Sequence, residues 1–532
     1  APTAQDSELT RRPDGAAVGA RIAGDCNQVR FWLLWLQLRR ILPPMLQNEV
    51  YERARLARDR RFDGQFYIAV RTTGIYCRPI CPVKSPKREN VTFYPSAAAA
   101  GEAGYRPCLR CRPECAPGTP AWSGTSTTVR RGLRLIAGGA LDEGNVELLA
   151  DRLGVTSRHL RRLFTKHLGA SPLAVAHTQR LHFAKRLIDD TALPMTHISA
   201  AAGYGSIRRF NDAFIKTYGR SPRELRRMGA ERQAGKKSAP LTVRLSYRSP
   251  FNWDAMLGFF AHRATPGVES VSGGTYRRTI SVNGEHGIVE VRSGTQAGFL
   301  SMTLHGVGTG ALFEVIQRMR EVFDLDAPVG EIGLVLGRDR SLRAHVRRHP
   351  GIRVPGAWNG FELAVRAILG QQVSVKAATT LAGRIAARYG EPLAVAGDGI
   401  SGLSRVFPSA DRLRLARLNN LGLVRSRAET IRRVAAATAE GRVSFDPAQD
   451  PDEFCAELCS IKGVGDWTAQ YVAMRVLKYP DAFPATDLGL LKALMHPERT
   501  TPAVMRQRAE AWRPWRAYAA MLMWNSLATS GG

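Results

Sequence analysis

Cysteines 77, 81, 108 and 111 stand in a C-x3-C-x26-C-x2-C pattern. Two close pairs separated by a longer loop suit tetrahedral Zn²⁺ with thiolate ligands. Thr73, Lys84, Arg88, Arg106, Arg110 and Arg112 crowd the pairs, and prolines fix the turns. Both features weigh against the plainer reading, a set of buried free thiols. Four thiolates on one Zn²⁺ carry surplus negative charge, which makes one of them a strong nucleophile held ionised by the metal. Alkylating that sulfur would remove one negative charge and weaken the repulsion of phosphate, an electrostatic switch for binding a polyanion. Cys115 is a weaker extra ligand candidate, whereas Cys26, Cys455 and Cys459 read as packing cysteines.

A second group lies near the other end. Gly463-Val464-Gly465 separates two helical segments, and small residues there let backbone N–H groups approach a phosphate. This is the helix-hairpin-helix signal. By itself it implies only sequence-independent DNA binding, and a glycine turn between helices is the alternative.

The chain that carries these groups has 532 residues, a net charge of +30 and 44% hydrophobic residues. The length allows three or four domains. The charge points to a polyanionic partner, nucleic acid first. A membrane surface is the rival, but the longest strongly apolar stretch, Phe31 to Leu38, is less than half a span. No secretory pattern is visible, and the cysteine usage is not that of a disulfide scaffold, so a cytoplasmic protein is expected.

Composition divides the chain into segments. Residues 1–45 lack a continuing periodic pattern and are expected to be a disordered extension or a start-site artefact. Residues 46–116 hold the cysteine pairs, short apolar runs and many prolines. After a Pro-containing linker, residues 125–228 are helical, with apolar spacing of three and four. A polar, basic linker follows. Residues 241–310 alternate as short strands, with Asn283-Gly284 as a hairpin turn. Residues 311–532 return to helical periodicity.

The helical block repeats itself. LADRLGVTSRHLRRLFTKHLGASP (149–172) parallels ISAAAGYGSIRRFNDAFIKTYGRSP (198–222). Gly154 and Ser157 match Gly203 and Ser206 at an offset of 49; Phe164, Gly169 and Pro172 match Phe214, Gly219 and Pro222 at 50. Each copy is a helix, a glycine turn and a basic second helix, which is helix-turn-helix logic. The first copy is expected to expose Arg158, Arg161 and Arg162 and to bury Leu160, Leu163 and Phe164. The second is expected to expose Arg208, Arg209 and Asn211 and to bury Phe210 and Phe214. A plain helical bundle with a solvated basic face is the alternative, and the tandem copy weighs against it.

Three family resemblances build on these residues. RFDGQFYIAVRTTGIYCRPICP with RENVTFYPSAAAAGEAGYRPCLRCRP resembles the amino-terminal zinc domain of the Ada adaptive-response proteins. The resemblance implies that Cys77 accepts a methyl group from a DNA methylphosphotriester, that Cys81, Cys108 and Cys111 complete the metal site, and that Thr73, Arg106 and Arg110 contact the DNA backbone. The tandem repeat resembles the AraC-type DNA-binding domain, implying operator binding by both second helices. The last block resembles AlkA, a 3-methyladenine DNA glycosylase of the helix-hairpin-helix superfamily. It does so through the hairpin and through FPATDLGLL, which places Asp487 22 residues after Gly465. LSYRSPFNWDAMLGFFAHRATPGVE, FELAVRAILGQQVSVKAATTLAGRI and WRPWRAYAAMLMWN carry it further. The resemblance implies an Asp487 carboxylate facing the charge that builds on the sugar. It implies aromatic walls from Trp467, Tyr471 and Trp524 for a cationic base, although each ring could equally be core packing. It places Gln372 at the wedge that fills the gap left by an extruded base, where an apolar residue is usual. Strand-nicking relatives carry lysine where Trp467 stands, so a base-releasing enzyme without lyase chemistry is implied. No P-C-H-R motif is present, and the O-alkylguanine repair domain is therefore not expected.

These readings combine into a multidomain protein, mainly α with α+β parts. It comprises a small α/β zinc domain, an all-α tandem helix-turn-helix, then a small antiparallel sheet with an all-α helix-hairpin-helix glycosylase core. The expected partners are double-stranded DNA, both alkylated and promoter, and RNA polymerase, with a monomer and Zn²⁺ as cofactor. Two rivals remain open at this point. One is a regulator with an inactive glycosylase scaffold; the other is a repair enzyme whose helix-turn-helix merely aids non-specific binding.

Overall fold

The computed structural model describes residues 44–116, 127–142, 145–230, 241–294, 297–393, 402–446, 449–493 and 501–530. The chain divides into two compact units, residues 1–54 and 55–532. Of the expected amino-terminal extension, all but Pro44 and Met45 lies outside the described residues. The described part of the first unit is the beginning of helix α1 (Pro44–Leu56).

The second unit opens with a four-stranded sheet of order β3-β1-β2-β4. Its strands are β1 (Tyr67–Val70), β2 (Ile75–Cys77), β3 (Val91–Tyr94) and β4 (Arg106–Pro107), and helix α2 (Ala97–Glu102) lies between β3 and β4. The pairing that matters is β2 with β4, which run parallel with Ile75 opposite Arg106 and Tyr76 opposite Pro107. It brings the two cysteine pairs together across the intervening loop.

Seven helices follow: α3 (Thr127–Ala137), α4 (Val146–Arg152), α5 (Ser157–Leu168), α6 (Pro172–Asp190), α7 (Met195–Ala201), α8 (Ile207–Tyr218) and α9 (Pro222–Ala230). The repeat is visible in the caps. Thr156 caps α5 through its hydroxyl and Ser206 caps α8 in the same way. Both helices end in a left-handed glycine, Gly169 (φ 68°) and Gly219 (φ 66°). The structural equivalent of Ser206 is therefore Thr156, not Ser157, and the second copy has one more residue in its turn. Leu160, Phe164, Phe210 and Phe214 are fully buried, as their spacing requires. Leu163 and Asn211 are only half-buried, so each sits at the edge of its helix's inner face.

The five-stranded antiparallel sheet that follows has the order β5-β9-β8-β7-β6. Its members are β5 (Thr242–Ser246), β6 (Glu269–Ser272), β7 (Thr275–Val282), β8 (Glu285–Ser293) and β9 (Phe299–His305), with α10 (Trp253–Ala261) after β5. Asn283 (φ 51°) and Gly284 (φ 81°) form the β7–β8 turn, both left-handed as a two-residue hairpin demands. Strand β6 carries no alternation signal strong enough to read from sequence. The rest is helical: α11 (Leu312–Val322), α12 (Val329–Leu336), α13 (Arg340–Arg348), α14 (Gly360–Leu369), α15 (Val375–Tyr389), α16 (Ala410–Arg414), α17 (Arg425–Ala439), α18 (Pro451–Cys459), α19 (Asp466–Arg475), α20 (Leu488–Ala493), α21 (Pro502–Ala509) and α22 (Arg516–Ser530). Among the described residues, no helix is long and apolar enough to cross a membrane.

The blocks share packing. Leu181 and Phe183 of the connecting helix α6 and Phe210 and Phe214 of the second helix-turn-helix copy belong to one core with Val243, Tyr276, Met302 and Phe323 of the sheet region. Phe183 meets Phe313 edge-on at 4.5 Å. Asp190, at the end of α6, bonds Arg244 of β5 at 2.7 Å and lies 3.5 Å from Arg112 of the cysteine block. Arg248 donates to the Asp63 carbonyl at 3.0 Å.

Candidate functional site

The four cysteine sulfurs lie within 4.8 Å of one another. Zn–S bonds of about 2.3 Å in a tetrahedron put sulfurs about 3.8 Å apart, so the set fits a four-thiolate metal centre. Cys77 ends β2 and Cys81 closes a turn with its N–H on the Arg78 carbonyl. Cys108 follows β4, and a bond from the Arg112 N–H to its carbonyl turns the chain toward Cys111. Cys108 and Cys111 are buried, while Cys77 and Cys81 are partly open, so the approachable edge is the one formed by Cys77 and Cys81. Arg78 braces the centre: its N–H points at Cys111 Sγ (3.3 Å), Nη1 holds the Cys111 carbonyl (3.0 Å) and Nε holds Asp63 (2.8 Å). Hydrogen bonding to Cys108 pushes the Cys77 thiol up, because sulfurs this close resist ionising together without a cation. Cys115 stands outside the cluster, and burial pushes its thiol up to about 11, as for an inert packing cysteine. Cys459, expected as a packing residue, is exposed.

Thr73, Arg106 and Arg110 are exposed beside the centre. Arg106 also lies at the carboxy-terminal end of α8, where a Cβ on Gly219 would meet its Nη1 at 3.4 Å. Arg112 is turned away from solvent. It pairs with Asp189 (2.9 Å) and Glu114 (3.1 Å), so its charge is spent on the junction with α6. Arg158, Arg161, Arg162, Arg208 and Arg209 are exposed on the second helices, as their positions opposite the buried residues require. Arg161 also pairs with Glu147 at 2.9 Å, both exposed.

The second site is built on α19, α20 and α22. Trp467 Nε1 donates to Asp487 Oδ2 (2.8 Å), and Trp524 Nε1 donates to Oδ1 (2.9 Å). The Leu490 N–H also donates to Oδ1 (2.9 Å), so Asp487 caps α20. Three donors occupy three of the roughly four acceptor positions of a carboxylate, leaving one on Oδ2. Trp467 and Tyr471 are parallel within 8° at 5.4 Å, and Trp524 meets Tyr471 edge-on at 6.2 Å. The structure thus brings all three rings and Asp487 into one partly open cluster. Behind Tyr471, Arg475 donates to its hydroxyl (2.7 Å) and to the carbonyls of Pro355 and Gly356 (2.9 Å each). Burial raises the Tyr471 phenol, but Arg475 and Arg263 outweigh it and hold it below its usual value. A cavity of about 790 Å³ opens elsewhere, where the blocks meet, and contains none of these residues.

The hairpin explains its glycines differently. Gly463 has φ 98°, and a Cβ there would sit 2.0 Å from Thr430 Oγ1, so no other residue fits. Gly465 caps α19 and faces open space, which leaves the helix N-terminus approachable. Gln372 is exposed, between α14 and α15, with φ 55°, a conformation costing a side-chain-bearing residue roughly 1–2 kcal/mol. Its neighbour Gln371 donates to the Gly463 carbonyl (3.2 Å) and to Thr468 Oγ1 (3.0 Å).

Comparison with known families matches four regions in order. Residues 51–114 match the metal binding domain of Ada, and 149–228 match a helix-turn-helix domain. Residues 242–359 match the AlkA N-terminal domain, and 365–516 match the HhH-GPD superfamily of base excision DNA repair proteins. A Mycobacterium tuberculosis protein named probable bifunctional transcriptional activator/DNA repair enzyme AlkA is 41% identical over 480 residues, 89% of this chain and 95% of that one. The chain belongs to this family of bifunctional Ada/AlkA-type activators and DNA repair enzymes. Its halves resemble separate proteins of Escherichia coli. DNA-3-methyladenine glycosylase 2 is 35% identical over 53% of this chain and 95% of its own. The bifunctional transcriptional activator/DNA repair enzyme Ada is 41% identical over 26% of this chain and 36% of its own.

Sequence reading of this Ada/AlkA-type chain missed the residues that support the sites. Asp63 and Arg78 brace the cysteine cluster, Arg475 fixes Tyr471, and Gln371 ties the Gln372 turn to the hairpin. Arg78 and Gln371 adjoin candidate residues, which was the available signal; Asp63 and Arg475 had none.

Proposed function

We propose that the chain senses and repairs alkylated DNA through two chemistries and one regulatory reader. In the first, the Asp487 cluster excises alkylated bases such as 3-methyladenine. The C1′–N bond breaks, the base leaves with the bonding electrons, and the sugar gains positive charge. The Asp487 carboxylate stabilises that charge, and its remaining Oδ2 acceptor position can orient the water whose oxygen adds to C1′ while its released proton passes to solvent. Trp467, Tyr471 and Trp524 receive a cationic base on their faces. No amine stands at the Trp467 position, so the product is an abasic site. The observation that carries this reading is a carboxylate at the start of α20 clamped between two indoles, one of them from the hairpin helix α19.

In the second, Cys77 Sγ attacks the methyl carbon of a DNA methylphosphotriester. The C–O bond breaks, its electrons stay on the phosphate oxygen, and a phosphodiester and an S-methyl thioether result. Cys77, Cys81, Cys108 and Cys111 would hold Zn²⁺, which when bound keeps a thiolate ionised at neutral pH. Thr73, Arg106 and Arg110 hold the DNA backbone against Cys77. The acceptor is consumed once, so this step is a stoichiometric signal. Methylated protein then binds promoter DNA through α5 and α8, where Arg158, Arg161, Arg162, Arg208 and Arg209 face the duplex, and RNA polymerase is the partner in activation.

The test is incubation of the protein with methylated duplex DNA, with released bases and cysteine modification both read by mass spectrometry. Release of 3-methyladenine and a methyl group on Cys77 support the reading. No released base leaves a regulator on an inactive scaffold, and no methylated cysteine leaves a repair enzyme alone.

A further inference from the structure

The cavity where the blocks meet has no part in either chemistry above, and its wall is polar. Tyr67 and Ser96 reach it from the cysteine block, Arg130 from α3, Gln179 and Arg186 from α6, and Tyr518 from α22. Seven carboxylates line it, and each is already paired with a cation. Five pair with cations of the wall itself, as Glu321 does with Arg134 (3.6 Å) and Asp324 with Lys478 (3.3 Å). Glu114 and Asp142 are held instead by Arg112 (3.1 Å) and Arg180 (3.5 Å), which are not part of the wall. Two wall cations, Arg130 and Arg186, are thereby left over. Among the described residues each lies only over a ring, Arg130 over Tyr479 at 5.8 Å and Arg186 over Phe183 at 5.9 Å, and the Nε of each is buried without a hydrogen bond. Burial, with Arg134 close by, pushes Arg130 down to about 9, and burial pushes Arg186 down as well. An unpaired guanidinium out of water is costly, and a hydrocarbon side chain would pack there at less cost. Gln179 lacks the converse partner, because its Oε1 is buried and accepts no hydrogen bond.

We propose that this cavity is a nucleotide site, where Arg186 and Arg130 hold the phosphates of a nucleoside diphosphate and Gln179 accepts from the amino group of its base. Two unpaired guanidiniums call for an anion with several acceptor oxygens, and phosphate matches their planar forks. The unsatisfied Oε1 calls for an N–H donor, which phosphate lacks and an aminated base supplies. Gln179 and Arg186 are seven residues apart on α6, so they share one face two turns apart, roughly 10 Å along the axis. That separation suits the distance from the base edge to the phosphates of a nucleotide. A volume of about 790 Å³ lies in the range of small-ligand pockets. The wall draws on the cysteine block, the helix-turn-helix and the carboxy-terminal half, so a bound nucleotide ties the three together.

The probe is adenosine diphosphate, titrated by calorimetry into the full-length protein at fixed salt with saturating unmodified duplex present. The duplex occupies the DNA-binding surfaces, so it displaces a nucleotide held there and leaves one in the cavity. Binding that survives the duplex is expected, with adenosine and pyrophosphate each weaker than the diphosphate by about ten-fold or more. Arg186→Met should weaken the diphosphate by about ten-fold or more, the effect of one charge-assisted hydrogen bond. Gln179→Leu should weaken it about five-fold and leave pyrophosphate unchanged. Thermal unfolding adds a readout that a merely structural arginine would move the other way. Without ligand, Arg186→Met should raise the midpoint, because an unpaired buried charge is removed. With adenosine diphosphate, the wild type should gain several degrees and the variant little. No binding in the presence of duplex, unchanged affinity in Arg186→Met, or a lower ligand-free midpoint in that variant would each overturn the proposal.

Discussion

Replacing Asp487 with asparagine removes one negative charge and also turns one acceptor into a donor. Oδ1 is held by two N–H groups, Trp524 Nε1 and Leu490 N, both at 2.9 Å, so the asparagine oxygen takes that position. The new NH₂ then faces the Trp467 indole N–H across the former 2.8 Å bond. Two donors cannot share that contact, and Trp467 must leave its parallel stack on Tyr471. Loss of the charge opposite the developing oxocarbenium ion costs about 100-fold or more in the chemical step, roughly 2.7 kcal/mol. Displacement of Trp467 adds a weaker grip on the cationic base, expected at about ten-fold. Trp467→Phe keeps the ring plane and removes the N–H, so it should cost about ten-fold in rate while stacking survives. In the double variant no donors collide, and the combined loss should be smaller than the product of the single losses. The assay is single-turnover release of 3-methyladenine, with affinity for an abasic-analogue duplex measured separately. An Asp487→Asn rate within ten-fold of wild type would show that the carboxylate only caps α20. Losses that multiply in the double variant would refute the shared-donor geometry.

Cys77→Ser should abolish transfer of a labelled methyl from methylphosphotriester DNA, and mass spectrometry of the wild type should place the label on Cys77; label on Cys108 or Cys115 would contradict the assignment. Methylation of Cys77 removes one negative charge from a surface that faces phosphate, so at fixed salt the methylated protein should bind one defined promoter site more tightly than the unmethylated form, as read by footprinting. Burial raises the Glu269 carboxyl, but Arg366 and Arg278 outweigh it and hold it at about 2. Its stabilising contribution, up to roughly 3 kcal/mol, is complete above the ordinary carboxylate range and is lost as pH falls toward 2, so Glu269→Gln should flatten acid unfolding in that window. Asp190→Asn weakens the bonds to Arg112 and Arg244 at once and should lower the thermal midpoint; an unchanged midpoint would show that the junction contributes nothing to stability.

Periodicity and spacing alone determined a good part of this chain. The cysteine pattern, the duplicated helix-turn-helix, the Asn283-Gly284 hairpin and the Gly463-Val464-Gly465 turn are local: caps, turns and apolar faces are decided by residues within a few positions of one another. Asp487 was a candidate through the AlkA resemblance, which its distance from the hairpin helps to carry. What the tertiary structure decided is which groups share a neighbour. Arg112 reads like every other arginine near the cysteines, yet packing places two α6 carboxylates against it and withdraws it from solvent. Trp467 and Trp524 read as aromatic walls, and only the meeting of α19 with α22 shows that both indoles hold the same carboxylate. Gln372 is ordinary in sequence, and only the structure shows its left-handed backbone beside a Gln371 tied to a hairpin 92 residues away. Hydrogen bonds and ion pairs depend on distances of a few ångströms between segments far apart in the chain. Such distances are outcomes of packing the whole unit, and no local pattern encodes them.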